Sequence, residues 1–211
     1  MFLRAKKQCI ENHFAGRSAR ATQSKANELR KALCALFCCG RLSTMRVMGI
    51  DCGTEYTGYG IVELCADAKL ICVACGAIKL SPRDPMCARL STIYSGLGEI
   101  IREHRPDNVA IEEIFYAINV KSALKLGQVR GVAMLAASSV GLTVSEYAPL
   151  TIKSAVVGYG RAEKHQVQHM VTQLLNLAEI PEPPDAADAL AIAICHLHTA
   201  ATLQAQVASA R

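Results

Sequence analysis

Four acidic residues in three separate stretches, Asp51, Glu112, Asp185 and Asp188, have the type and setting to do chemistry. Each lies in otherwise apolar sequence: VMGIDCGT, VAIEEIF and PPDAADALAIAI. Carboxylates are rarely buried unless they are paired or hold a metal. Three apolar stretches that each deliver an acid therefore suggest one shared cation site. An all-oxygen ligand set selects Mg²⁺ or Mn²⁺ over zinc. Such sites commonly perform phosphoryl transfer, often on nucleic acid.

The four signals differ in strength. Asp51 precedes a glycine, and Asp-x-Gly is also ordinary turn chemistry. Glu112 ends a run of strand-type residues, where a carboxylate needs a reason. Its neighbour Glu113 must face the other way, because strand side chains alternate. One of the two can join a cluster, and their spacing does not say which. Asp185 and Asp188 are three residues apart and share one helix face. Asp185 has an ordinary alternative as a helix N-cap after Pro183 and Pro184. Asp188, inside AADALAIAI, has none, and an unpaired carboxylate against the core would be costly there.

Elements that could position these acids follow from residue patterning. MRVMGIDCG reads as a buried strand ending at Asp51, and TGYGIVELC and AKLICVACGAIKL as two more strands of an antiparallel meander. Leu90, Ile93, Leu97, Ile100 and Ile101 recur at helical spacing before a breaker at Pro106. NVAIEEI is a short apolar strand, residues 119–139 an Ala/Leu/Val helix, and LTVSEYA a further strand. Helices are predicted over 149–157, 163–176 and 184–199, with GYGRAEK as a loop. The order βββαβαβααα fits an α/β fold, a mixed sheet with helices on its faces.

The chain has 211 residues, of which 51% are apolar, enough for one domain with a sizeable core and no need of disulfides. The formal charge of +5 is unevenly placed. Residues 1–44 carry nine Lys/Arg against two acids, whereas residues 45–211 carry fourteen against sixteen. Three parts follow: a basic N-terminal extension (1–44), a folded domain (45–200) and a C-terminal tail (201–211). The extension has no strand signal, though Leu29, Leu33, Leu36 and Phe37 could form one short amphipathic helix. Three readings compete: a mobile basic arm, a DNA-contacting extension, or a product of start-site choice, since a well-patterned run begins at Met45; the arm and the start-site reading are favoured. The ten cysteines sit mostly in apolar runs, where Cys behaves as a small hydrophobe. Cys72-x-x-Cys75 lies in a strand-like run rather than at a helix N-terminus, which argues against a zinc or redox role. No apolar run approaches the ~18 residues of a membrane-spanning helix, and a cytoplasmic protein is expected.

Beyond these separate signals, four blocks resemble those of the RuvC family of bacterial crossover junction endodeoxyribonucleases. They are GIDCGTEYTGYGIV, AIEEIFYAINVKSALKLGQVRGVA, SAVVGYGRAEKHQVQHMV and DAADALAIAICHLH, and the resemblance covers residues 45–200. It implies a ribonuclease H-like fold, a mixed five-stranded sheet flanked by helices. It implies a homodimer that resolves four-way (Holliday) DNA junctions by paired symmetric nicks leaving 5′-phosphate ends, in recombination and repair. Mg²⁺ is the implied cofactor, two ions per subunit with Mn²⁺ as a substitute, and the branch-migration proteins RuvA and RuvB are implied partners. By motif position the acidic quartet falls on Asp51, Glu112, Asp185 and Asp188, which selects Glu112 over Glu113. Four carboxylates can hold two divalent ions about 3.5–4 Å apart around a scissile phosphate. One departure is visible: Cys52 stands where the family commonly has proline, which removes no ligand.

DNA-contacting residues follow the same resemblance. Phe115, in a loop after the Glu112 strand, is placed to stack on an unpaired base. Lys153 and Lys164 match basic positions near the active site and flank the Gly158-Tyr159-Gly160-Arg161 loop. Gly127-x-x-x-Gly131 permits close helix approach, within one core or between two subunits. His196 and His198 lie two apart on a helix, where side chains diverge, and are read as ordinary residues. Two other classes compete. Asp-x-Gly-Thr with Gly58-Tyr59-Gly60 resembles the first phosphate loop of actin-like ATPases, but the chain is short and shows no second copy. A catalytically inert junction binder would have little use for four acids facing DNA.

Overall fold

The computed structural model describes residues 44–113 and 120–209, with side-chain surroundings as far as residue 202. The basic extension and Phe115 lie outside the described residues.

Five strands form one sheet: β1 (Met45–Asp51), β2 (Tyr56–Leu64), β3 (Leu70–Lys79), β4 (Asn108–Glu112) and β5 (Thr143–Tyr147). Their spatial order is β3-β2-β1-β4-β5. The meander pairs β1 with β2 and β2 with β3 antiparallel, while β4 and β5 continue the other side in parallel with β1. The sheet is therefore mixed, as expected from strand patterning. β1 and β4 are central and covered on both faces, which is why they read as unbroken apolar runs.

Alternation splits the core into two layers. Met48, Ile50, Val109 and Ile111 pack against α1 (Met86–His104) and α2 (Val120–Ser138). Val47, Val62, Leu64 and Ala110 face α3 (Pro149–Val157), α4 (Lys164–Leu174) and α5 (Pro184–Ser209). α1 stops where Arg105 takes a left-handed conformation (φ 47°) ahead of Pro106, as the breaker predicts. α5 extends beyond the predicted 184–199 and runs through the expected tail to Ser209.

One packing device decides where the acids go. A Cβ on Gly49 would lie 2.0 Å from the Ala189 carbonyl oxygen, and one on Gly58 would lie 2.1 Å from that of Asp185. Glycine at these positions lets the α5 backbone rest directly on β1 and β2. Gly60, against Leu190, continues the same lane. Ala186, Ala187, Ala189 and Ala193, all fully buried, are the helix's side of this close approach.

Candidate active site

Asp51 and Glu112 terminate neighbouring parallel strands. Ile50 is in register with Ile111, so the next residues, Asp51 and Glu112, lie side by side. Each lies two residues beyond one that faces α5, Gly49 and Ala110 respectively, and so points to that same side of the sheet. Sheet geometry thus selects Glu112. Glu113 is exposed, and its backbone N–H donates to the Tyr147 carbonyl.

The helix supplies the other two acids. Asp51 is paired across the ladder with Gly58, and Gly58 sits directly beneath the Asp185 backbone. The glycine lane therefore holds the first turn of α5 over the end of β1. Asp185 lies within that first turn, not at the cap position, since the helix starts at Pro184. A carboxylate there meets the positive end of the helix dipole. Asp188 follows one turn on, and its Oδ2 lies 2.6 Å from Lys164 Nζ.

Electrostatics shows that the four acids share one field. Burial pushes Asp51 up to about 7, reinforced by the charges of Asp188, Glu112 and Asp185 and opposed by Lys164. Glu112 is raised by burial and by Asp188, against Lys153 and Lys164. Lys164 is held protonated by its hydrogen bond to Asp188 and by the charges of Asp51 and Asp185. Both lysines singled out in the sequence are thus brought to the acids. Lys164 opens α4 behind a capping box formed by Glu163 and Gln166. The Tyr159 hydroxyl donates to Gln166 Oε1 at 2.7 Å and ties the preceding loop to that helix start.

The donor set is hard oxygen with surplus negative charge. Among the described residues, no three His, Cys, Asp or Glu side chains are gathered into a ready-made metal cage. An all-carboxylate donor set of this kind is of the hard-oxygen chemistry that divalent cations such as Mg²⁺ take, usually together with waters and substrate phosphates.

Two supports gave no signal in the sequence analysis. Arg130, from α2, donates through Nε to the Glu112 carbonyl at 3.1 Å and pairs with Glu146 on β5, pinning the end of β4. The glycines of the lane were legible only as turn or phosphate-loop residues. Their alternation opposite an alanine-rich helix is the pattern that could have revealed them. With Gly58 and Gly60 occupied beneath α5, the ATPase-like loop reading has no loop to stand on.

The neighbouring groups behave as the sequence suggests. Cys52 is partly buried beside Asp51, and desolvation pushes its thiol up to about 12, so it adds no charge. His196 and His198 diverge: one meets the Tyr147 hydroxyl at 2.9 Å through Nδ1, the other the Ala155 carbonyl at 3.0 Å. Burial holds both below the usual imidazole range.

A mixed five-stranded sheet with acids at the ends of two adjacent parallel strands, completed by a helix crossing them, defines the ribonuclease H-like class. Within that class, residues 47–196 match the family model of the crossover junction endodeoxyribonuclease RuvC, and the chain belongs to this family. A crossover junction endodeoxyribonuclease RuvC of Koribacter versatilis is 66% identical over 159 residues, covering 75% of this chain and 96% of that protein. One from Acidobacterium capsulatum is 56% identical over 169 residues, covering 77% and 98%. The solved structure of Thermus thermophilus RuvC is 36% identical with a TM-score of 0.68, covering 74% of this chain and 95% of its own. The same protein solved in complex with a Holliday junction substrate gives 34% and 0.68 over the same shares.

Proposed function

We infer that this chain is a structure-selective endonuclease that resolves four-way DNA junctions by hydrolysing a phosphodiester in each of two strands. Family membership gives the reaction class. The observation that carries the site is the convergence of Asp51 and Glu112, at the ends of neighbouring parallel strands, with Asp185 and Asp188 on the helix laid over them.

Asp51 and Glu112 from the sheet and Asp185 and Asp188 from the helix are the proposed ligands of two divalent ions, Mg²⁺ with Mn²⁺ as a substitute. When bound, the ions would activate a water and neutralise charge on the scissile phosphate and the departing 3′ oxygen. Asp51, central among the acids, would help to hold both ions. Lys164 supplies the counter-charge that keeps the acids compatible before the ions arrive, and then, with Lys153, contacts DNA phosphate. Phe115 is the proposed stacking residue. The products carry 5′-phosphate ends.

A homodimer supplies two such sites related by a two-fold axis, as symmetric nicks require. The outer face of α2 supports this. Val120, Leu124 and Leu135 are exposed at 73%, 65% and 56%, and they lie on one stripe with Gly127 and Gly131. A Cβ on either glycine would meet nothing within 4 Å, so this stripe is open to a second copy of α2. The reading also includes recombinational repair, cytoplasmic location beside the chromosome, and work alongside RuvA and RuvB. Among the described residues, no helix is long and apolar enough to cross a membrane.

The test is cleavage of a synthetic four-way junction in Mg²⁺ and in EDTA, by wild type and Asp188→Asn. Paired symmetric nicks that require both the metal and Asp188 are expected. Equal cleavage of linear duplex would reduce the assignment to a general nuclease.

A further inference from the structure

Cys72 and Cys75 are three residues apart, and in a regular strand they would leave opposite faces of the sheet. In β3 they do not. The ladder pairs Cys72 with Val62, Ala74 with Ile61 and Cys75 with Gly60, so Val73 is an extra residue in a β-bulge. The bulge makes the two cysteines oppose residues only two apart on β2. Both pack toward the same core layer, the one beneath α5. Their Cα atoms then have the spacing of a same-face pair, about 6.6 Å along the strand, within the disulfide range of about 4.4–6.8 Å.

The side chains make use of this placement. The two thiols are close enough to act on each other's ionisation, and both are free and only partly buried. Among the described residues β3 is the edge strand of the sheet, with no further strand beside it on that side. The neighbouring Cys72 thiol lowers Cys75 below the ordinary cysteine range and so favours its thiolate, the form that attacks a disulfide.

We propose that Cys72 and Cys75 are a redox dithiol that closes to an intramolecular disulfide by exchange with a low-molecular-weight disulfide. The Cys75 thiolate attacks one sulfur of the small disulfide, forms a mixed disulfide and releases the other half as thiolate. Cys72, losing its proton to solvent or to that thiolate, then attacks the Cys75 sulfur and expels the second small thiol. Two electrons pass from the protein dithiol to the small disulfide, which leaves as two thiols. The bulge at Val73 is what makes the second step intramolecular. This site is separate from the acidic cluster and does not depend on the nuclease reading.

The experiment uses the full chain and oxidised glutathione as the probe, followed by alkylation, trypsin and mass spectrometry. Both cysteines fall in one tryptic peptide, Leu70–Lys79, which contains no other cysteine. The expected result is that this peptide becomes two hydrogens lighter, resists alkylation and recovers after dithiothreitol. In Cys72→Ser the same treatment should leave a lasting glutathione adduct on Cys75, because the resolving thiol is gone. The proposal is overturned if both cysteines of the wild type alkylate fully while the exposed Cys87 carries glutathione. Separate adducts on Cys72 and Cys75 without ring closure would overturn it equally.

Discussion

Asp51 is the acid on which the other three act. Its carboxyl ordinarily titrates near 3.8 and is pushed up to about 7 in the fold, so folding favours the neutral form. The associated stability is fully present below pH 3.8 and is lost as pH rises through 7. A shift of this size corresponds to at most about 4 kcal/mol. Asp51→Asn, neutral at every pH, should therefore raise the Tm of the metal-free protein above pH 7 and change it little below pH 4, in denaturation scans with EDTA. Saturating Mg²⁺ at pH 8 should stabilise wild type more than the variant, because the ion binds the ionised carboxyl. Cleavage by Asp51→Asn should fall on the order of 10³-fold, the scale of several kcal/mol of lost metal assistance, with junction binding retained. Lys164 has a different signature. Lys164→Ala should reduce the salt slope of junction binding by about one, measured by titration at several ionic strengths. An unchanged slope would confine Lys164 to its ion pair with Asp188.

At the scale of elements, the site depends on how closely α5 approaches the sheet. The helix rests on Gly49, Gly58 and Gly60 with its backbone at the contact, joined at Gly60 by the Leu190 side chain. Gly49→Ala inserts a methyl where the Ala189 carbonyl already stands, so α5 must lift. Overpacking of this kind costs about 1–3 kcal/mol, and it also moves Asp185 and Asp188 away from Asp51. A lowered Tm together with a loss of cleavage larger than the stability change explains is expected, read by thermal melts and junction assays at 10 °C below the new Tm. Arg130 exerts a similar hold from the opposite layer, where it fastens the end of β4 through the Glu112 carbonyl.

At the scale of the whole molecule, the proposed symmetric cutting requires two copies, and the open stripe on α2 is the proposed contact between them. Leu124→Glu places a charge in its middle without touching the core, since Leu124 is 65% exposed. Sedimentation should then show a monomer with unchanged circular dichroism. Junction cleavage should shift from paired to single nicks. A dimer that survives the substitution would place the interface elsewhere.

The elements were legible because their period was. Buried central strands read as apolar runs ending in acids, α1 and α4 as helical spacings, and the quartet as carboxylates in places where burial penalises them. Sequence patterning by itself determined the strand and helix order and the candidates Asp51, Asp185, Asp188 and the Glu112/Glu113 pair, and resemblance supplied the family and the choice of Glu112. What it left open was geometry across elements. Glu112 and Glu113 are equivalent as neighbours in a string, and only the parallel register of β1 with β4 turns one of them toward Asp51. Gly58 and Gly60 resemble a phosphate loop until α5 is seen lying on them. Cys72 and Cys75 belong to opposite faces until a bulge, set by pairing with β2, brings them to one. Periodicity is a local property of the chain, whereas register, bulges and close helix approach arise only when two segments meet.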